Sequence, residues 1–163
     1  MPKTTHSSPI GPLLLAEEDG YIVEISFMGA DTRAEFKQTT STSPKADVAT
    51  SQILEECITQ LDAYFAGKLN TFTIPIKLKG TDFRMRVWEA LRSIPYGETI
   101  SYKELAQRIG QPNAIRAVGG ANHHNPISII VPCHRVIGAT GKLVGYGGGL
   151  SIKEFLLNLE AKK

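Results

Sequence analysis

Between Gly11 and Gly29 the chain reads GPLLLAEEDGYIVEISFMG, two apolar runs joined by Glu-Glu-Asp-Gly. Val23, Ile25 and Phe27 alternate with their neighbours, so the stretch predicts a β-hairpin. A polar Thr/Ser-rich segment follows from Gln38 to Pro44. The period then lengthens, and Leu54, Cys57, Ile58, Leu61 and Phe65 form one stripe of a helix from about Thr50 to Ala66, closed by Gly67. In TFTIPIKL the residues Phe72, Ile74, Ile76 and Leu78 share a face, and Pro75 assigns this strand to a sheet edge. Residues 1–78 therefore read as an α/β domain with a short antiparallel sheet.

From residue 79 onward helical spacing dominates. Thr81 opens a helix with Phe83, Val87, Trp88 and Leu91 on one side, which stops at Ile94-Pro95-Tyr96-Gly97. Ser101 and Glu104 have the spacing of a capping box at the start of a helix ending near Gly110. After the break at Gln111-Pro112-Asn113, AIRAVGGAN is a further short helix. Two helices across so short a turn predict a helix-turn-helix, here winged-helix-like. A second capping box, Ser151 with Glu154, opens a last helix whose expected buried stripe is Ile152, Phe155, Leu156 and Leu159. Residues 79–163 thus read as a mostly α-helical domain.

Charge sharpens this division. The net charge of +2 conceals a partition: residues 1–78 hold 6 Lys/Arg against 10 Asp/Glu, and residues 79–163 hold 12 against 6. The helical half is the candidate for a polyanionic partner. At 163 residues the chain can bury one sizeable core or two small ones, and 42% apolar with 21% charged residues suits a soluble protein. No apolar run approaches a membrane span, and the N-terminus lacks a secretory cleavage pattern, so the expected location is cytoplasmic, with no membrane partner. Two cysteines, Cys57 and Cys133, offer neither a disulfide framework nor a CxxC pair. Cys57 sits on the helical stripe and reads as a small core residue.

Cys133 is different, because NPISIIVPCHRVIG carries an apolar strand straight into Cys-His-Arg. A thiolate is the strongest nucleophile among side chains, but a free thiol is mostly protonated at neutral pH and needs a base or a cation nearby. His134 is adjacent, yet neighbours in an extended segment face opposite ways, so contact needs a turn or a bridging water; Pro132 suits a turn. A metal site is a poor reading, since one Cys and one His cannot supply a tetrahedral shell. Out of context, a buried Cys, a satisfied His and a surface Arg explain the triplet equally well.

The context is a resemblance. PCHRVIG, together with SPIGPLLLA, GTDFRMRVWEAL, IPYGETISYKELA, AIRAVGGAN, NPISIIVPCHRVIG, GYGGGL and the closing helix, resembles the O6-alkylguanine-DNA alkyltransferases, in the family's order along both halves. The resemblance implies direct reversal of DNA damage: Cys133 takes the alkyl group from guanine O6, with O4-alkylthymine a further candidate substrate, irreversibly and once per molecule. It implies that His134 deprotonates Cys133 through a water, Glu160 orients the imidazole, Asn125 ties the turn and the water network, and Tyr102 crowds the nucleotide's phosphate and donates a proton as guanine leaves. Arg116 is implied as the finger entering the duplex where the base has flipped out. Ala117, Gly119, Ala121, Tyr102 and His123 are the further implied DNA contacts, and Val136, Tyr146, Gly147 and Gly148 the implied base pocket.

Physical reasons accompany these roles. An alkylated base inside a stack is out of reach, so it must be extruded at a cost of a few kcal/mol and the gap filled. Arg is planar and cationic, and the small residues Ala114, Ala117, Gly119, Gly120 and Ala121 permit close approach to the minor groove, where little sequence is read. Two features depart from the family: His123-His124 stands where relatives often carry Gly and Arg, weakening a phosphate contact or making it pH-sensitive, and the N-terminal half offers only Cys57 and His6 for the structural zinc some members bind. The expectations are a monomer acting on double-stranded DNA without cofactor or metal. The main rival, a sensor of alkylated DNA on the same scaffold, lacks the cysteine that this chain has; a Cys-His acyltransferase leaves the helix-turn-helix unexplained.

Overall fold

The computed structural model describes residues 3–28, 52–138 and 150–161, and the chain divides into two compact units, Met1–Lys77 and Leu78–Lys163. The predicted Gln38–Pro44 segment lies outside the described residues.

In the first unit, β1 (Lys3–His6), β2 (Leu13–Glu18) and β3 (Tyr21–Phe27) form an antiparallel sheet in that order. The β2–β3 turn is Asp19-Gly20 with φ of 54° and 83°, the left-handed pair that matches strand twist in a two-residue hairpin. Ala16 pairs with Glu24 but Glu17 with Ile22, so Val23 is an extra residue in the ladder. That bulge corrects the simple alternation: Ile22 and Ile25 are the fully buried residues, and Val23 is only half-buried. β1 was not expected, because KTTH shows no apolar alternation; its Thr4 is nonetheless buried. TFTIPIKL keeps the predicted alternation of burial but is not a regular strand. It makes one bridge to β3, with Ile22 N–H donating to Pro75 O (2.9 Å) and Lys77 N–H to Ile22 O (3.0 Å), and Pro75 has no N–H to extend the ladder. Helix α1 (Gln52–Phe65) covers the sheet with Leu54, Cys57, Leu61 and Tyr64.

The second unit opens with α2 (Asp82–Arg92), capped by Thr81, whose hydroxyl accepts from Arg84 N–H; such caps contribute about 1 kcal/mol. Trp88 anchors it. Its indole N–H donates to Ala121 O (2.9 Å), and a Cβ on Gly80 would come within 2.8 Å of the ring, so glycine is required there. Strand β4 (Ile100–Ser101) leads into α3 (Tyr102–Arg108), where Ser101 Oγ accepts from Glu104 N–H (3.0 Å) and the Glu104 carboxylate pairs with Arg108. Gly110, at φ 77°, ends that helix, and α4 (Ile115–His123) completes the helix-turn-helix.

Strand β5 (Val136–Ile137) pairs in parallel with β4. Helix α5 (Leu150–Ala161) already contains Ser151, so this residue is not the cap the spacing suggested. The expected buried stripe of α5 is also corrected: Lys153, Leu156 and Glu160 face inward, while Phe155 is 38% exposed. Among the described residues no helix is long and apolar enough to cross a membrane.

Candidate active site

Two polar residues on the buried face of a helix need partners, and they find them around Cys133. The segment before it is a compact loop braced by Asn125, whose Nδ2 donates to Val131 O (2.7 Å) and whose Oδ1 accepts from Ile127 N–H (2.9 Å). Within the loop Ile129 has φ of 74°, a left-handed conformation unfavourable for a β-branched residue by about 1–3 kcal/mol, which Asn125 and the buried Ile127 and Val131 hold in place.

After Pro132 the chain tightens into a 3-10 turn, Cys133–Arg135, with Cys133 N–H bonded to Val131 O (2.8 Å) and Arg135 N–H to Pro132 O (3.0 Å). The turn replaces the extended geometry in which neighbouring side chains face opposite ways. All three residues are buried, Cys133 being 4% exposed and His134 fully enclosed.

Glu160 organises this turn from α5. His134 Nε2 donates to its Oε2 (2.6 Å), Arg135 Nε donates to Oε1 (2.8 Å), and Arg135 Nη2 donates to Oε2 (3.0 Å). Arg135 Nη1 reaches Ile94 O (2.7 Å), closing the turn onto the end of α2. Burial alone would raise the Glu160 carboxyl, but the hydrogen bonds from His134 and Arg135, and the Arg135 charge, carry it far below the usual carboxylate range. Burial lowers His134, with Arg135 and Lys153 adding to the effect and the Glu160 hydrogen bond opposing it. The imidazole is therefore neutral at neutral pH. With its Nε2 proton committed to the carboxylate, its lone pair lies on Nδ1, which is buried and takes no protein hydrogen bond. A neutral, oriented imidazole beside a buried thiol can act as a base.

Lys153 is buried two turns before Glu160 on the same face of α5, its Nζ donating to Val136 O (2.6 Å) and lying 5.9 Å from the Tyr102 ring centroid. Burial lowers it and the nearby Cys133 raises it. Tyr102, at the start of α3, is raised by burial and by Cys133, against a hydrogen bond from Asn122. By contrast, burial pushes the Cys57 thiol up to about 12, which leaves that cysteine unreactive.

The sequence-predicted residues thus fall into groups. Cys133, His134, Glu160, Asn125 and Tyr102 converge on one turn and the helices around it. On α4, Arg116, Ala117 and His123 are exposed and Gly119 lies near the Tyr102 ring. Ala121 is 3% exposed, one turn beyond Ala117 on α4, and its carbonyl accepts from the Trp88 indole N–H. Val136 is fully buried in β5, with its carbonyl engaged by Lys153. Tyr146, Gly147 and Gly148 lie outside the described residues. Among the described residues no group of three or more His, Cys, Asp or Glu is placed to hold a metal ion.

Three polar residues at the site escaped the sequence reading: Arg135, which only the out-of-context reading placed, at the surface, Lys153 and Asn122. The available signal was spacing, because Lys153 and Glu160 fall in register with Leu156 on one face of α5.

Comparison with known proteins agrees over almost the whole chain. Residues 82–162 match the family model of the 6-O-methylguanine DNA methyltransferase DNA-binding domain, and residues 1–78 that of its ribonuclease-like domain. A methylated-DNA–protein-cysteine methyltransferase of Methanosarcina acetivorans is 51% identical, covering 94% of each chain. One from Mycobacterium tuberculosis is 50% identical over 98% of this chain and 92% of its own. The crystal structure of Mycobacterium tuberculosis OGT in complex with DNA superimposes with a TM-score of 0.83 at 49% identity, over 98% of this chain and 92% of that one. The buried Cys-His-Glu arrangement therefore sits on a scaffold shared along its length, and the chain belongs to the 6-O-methylguanine DNA methyltransferase family.

Proposed function

We propose that this protein repairs DNA by direct reversal, transferring an alkyl group from O6 of guanine to Cys133 in a single irreversible turnover. The observation that carries the reading is the 2.6 Å bond between His134 Nε2 and Glu160 Oε2 in the turn that bears Cys133. It fixes a neutral imidazole with its lone pair on Nδ1, the state a base requires.

In this reading His134 takes the Cys133 proton through a water. The sulfur attacks the alkyl carbon, a C–S bond forms, and the C–O6 bond breaks with its electron pair remaining on guanine. Tyr102 supplies a proton to the departing base, so neutral guanine and a thioether result. Because the thioether has no leaving route, each molecule reacts once. Residues 79–163 carry both DNA binding and chemistry: α4 enters the minor groove, Arg116 fills the space of the flipped nucleotide, and Ala117, Gly119 and His123 line the contact. Val136, Tyr146, Gly147 and Gly148 form the base pocket. The protein works where DNA is held, as a monomer and without cofactor.

Intact mass after incubation with O6-methylguanine duplex tests the reading. The expected result is a gain of one methyl, mapped to the Cys133 peptide and abolished by Cys133→Ala. Binding with no mass change in the wild-type protein would make it a sensor instead.

A further inference from the structure

Arg135 has no part in the chemistry above, yet it is only 7% exposed and spends most of its guanidinium on one carboxylate. Its Nε donates to Glu160 Oε1 (2.8 Å) and its Nη2 to Oε2 (3.0 Å), so two planar groups meet edge to edge and the carboxylate cannot turn without breaking both bonds. The fork is itself held in place. Nη1 donates to Ile94 O (2.7 Å), and Cζ lies 5.7 Å from the Tyr96 ring centroid. Glu160 Oε2 therefore accepts from Arg135 Nη2 and from His134 Nε2 (2.6 Å) at once.

That shared oxygen matters because a base must be unprotonated before it can act. A lone buried carboxylate 2.6 Å from an imidazole favours the imidazolium, whose Nδ1 already carries a proton and cannot take another. With Arg135 on the same carboxylate, the imidazole faces an ion pair of no net charge. The carboxylate still accepts the Nε2 proton and fixes the tautomer, but its pull for a second proton on the ring is offset. The other charged and titratable groups around the turn are Cys133 itself, Lys153 from α5, Tyr96 from the turn after α2 and Tyr102 from the start of α3. Burial lowers His134 most, and Arg135 and then Lys153 lower it further, in keeping with this arrangement.

We propose that Arg135 is the positioning residue of the general base, its guanidinium fixing the plane of the Glu160 carboxylate and sharing the charge that would otherwise draw a proton onto His134. The inference rests on the alkyl-transfer reading and deepens it. Lysine would supply the charge without the fork, and an apolar side chain would supply neither.

The test is the pH dependence of the single-turnover transfer rate with saturating O6-methylguanine duplex. On the acid side the wild-type rate should fall as His134 takes up a proton. In Arg135→Met the midpoint of that fall should move up by roughly one pH unit or more, because the carboxylate then acts on the imidazole alone. Arg135→Lys restores the charge and should bring the midpoint back toward the wild-type value, while the plateau rate stays low for want of the fork. A uniform loss at every pH with the midpoint unmoved would make Arg135 a structural support and overturn the proposal, and so would equal displacement in both variants. Nitrogen NMR of the wild-type imidazole needs no variant that folds and no DNA. At about pH 6, where an ordinary histidine is mostly charged, His134 should still show a protonated Nε2 and a bare Nδ1. An imidazolium there overturns the proposal as well. Failure of the wild-type protein to accept a methyl group would instead overturn the alkyl-transfer reading.

Discussion

Glu160 receives three hydrogen bonds from two side chains while 1% exposed, so its charge is stable only while they last. Its removal does not simply delete a contact. Glu160→Gln leaves the Arg135 guanidinium buried against a neutral amide, and unpairing a buried charge costs on the order of 3 kcal/mol or more. The same change frees the His134 tautomer. The expected outcome is a lower denaturation midpoint in urea together with a slower transfer rate at saturating DNA, whereas DNA affinity changes little because the carboxylate faces no solvent. Cys133 and His134 were legible in the sequence because their chemistry is rare and their setting apolar. Arg135, Lys153 and Asn122 were not, because periodicity equates burial with apolarity, and these three are buried for their hydrogen bonds.

At the scale of elements, the loop of residues 125–131 works as a brace. Asn125 closes it from both sides, and Ile129 stays left-handed only while that closure holds. Asn125→Ala breaks two hydrogen bonds, one to a partly buried carbonyl, and should destabilise the fold by about 1–3 kcal/mol. The turn at Cys133 is bonded to Val131 O, so transfer should slow as well; denaturation midpoints and single-turnover rates measure the two effects. Helix α4 presents Arg116 and Ala117 outward and Val118, Ala121 and Asn122 inward. If Arg116 fills the flipped base's space, Arg116→Ala should lower the saturated rate on duplex DNA far more than on a single-stranded lesion, where nothing is extruded. A phosphate contact would instead lower the salt slope of binding by about one unit and spare the saturated rate. Helix ends were readable where caps and glycines mark them: Thr81, Ser101 and Gly110 all act as their types suggest, whereas Ser151 lies inside α5. The sheet was less so. The bulge at Val23 depends on pairing with β2, and the single bridge of TFTIPIKL on the missing N–H of Pro75, so neither follows from local alternation.

For the molecule as a whole, the division of charge was readable from counting alone, with the basic excess in residues 79–163, the half that bears Arg116 and Cys133. The dependence of stability on pH was not, because it requires the partners of His134 and Glu160. Both groups are shifted downward, from 6.5 and 4.5 in the unfolded chain. For His134 the unfolded chain binds a proton below about pH 6.5 that the folded protein refuses, so stability is complete above that value and declines as pH falls. For Glu160 the unfolded chain takes up its proton below about pH 4.5 while the folded carboxylate stays ionised, so a second decline adds to the first. Arg135 and Lys153 oppose protonation of His134 along with burial, and Glu160 only partly offsets them. Urea denaturation from about pH 4 to about pH 8 should therefore give an unfolding free energy that rises with pH and levels off near neutrality. His134→Gln should flatten the upper part of that rise while leaving the lower part, which belongs to Glu160. A rise between about pH 5 and pH 7 that survives His134→Gln would show that the buried imidazole is not its source.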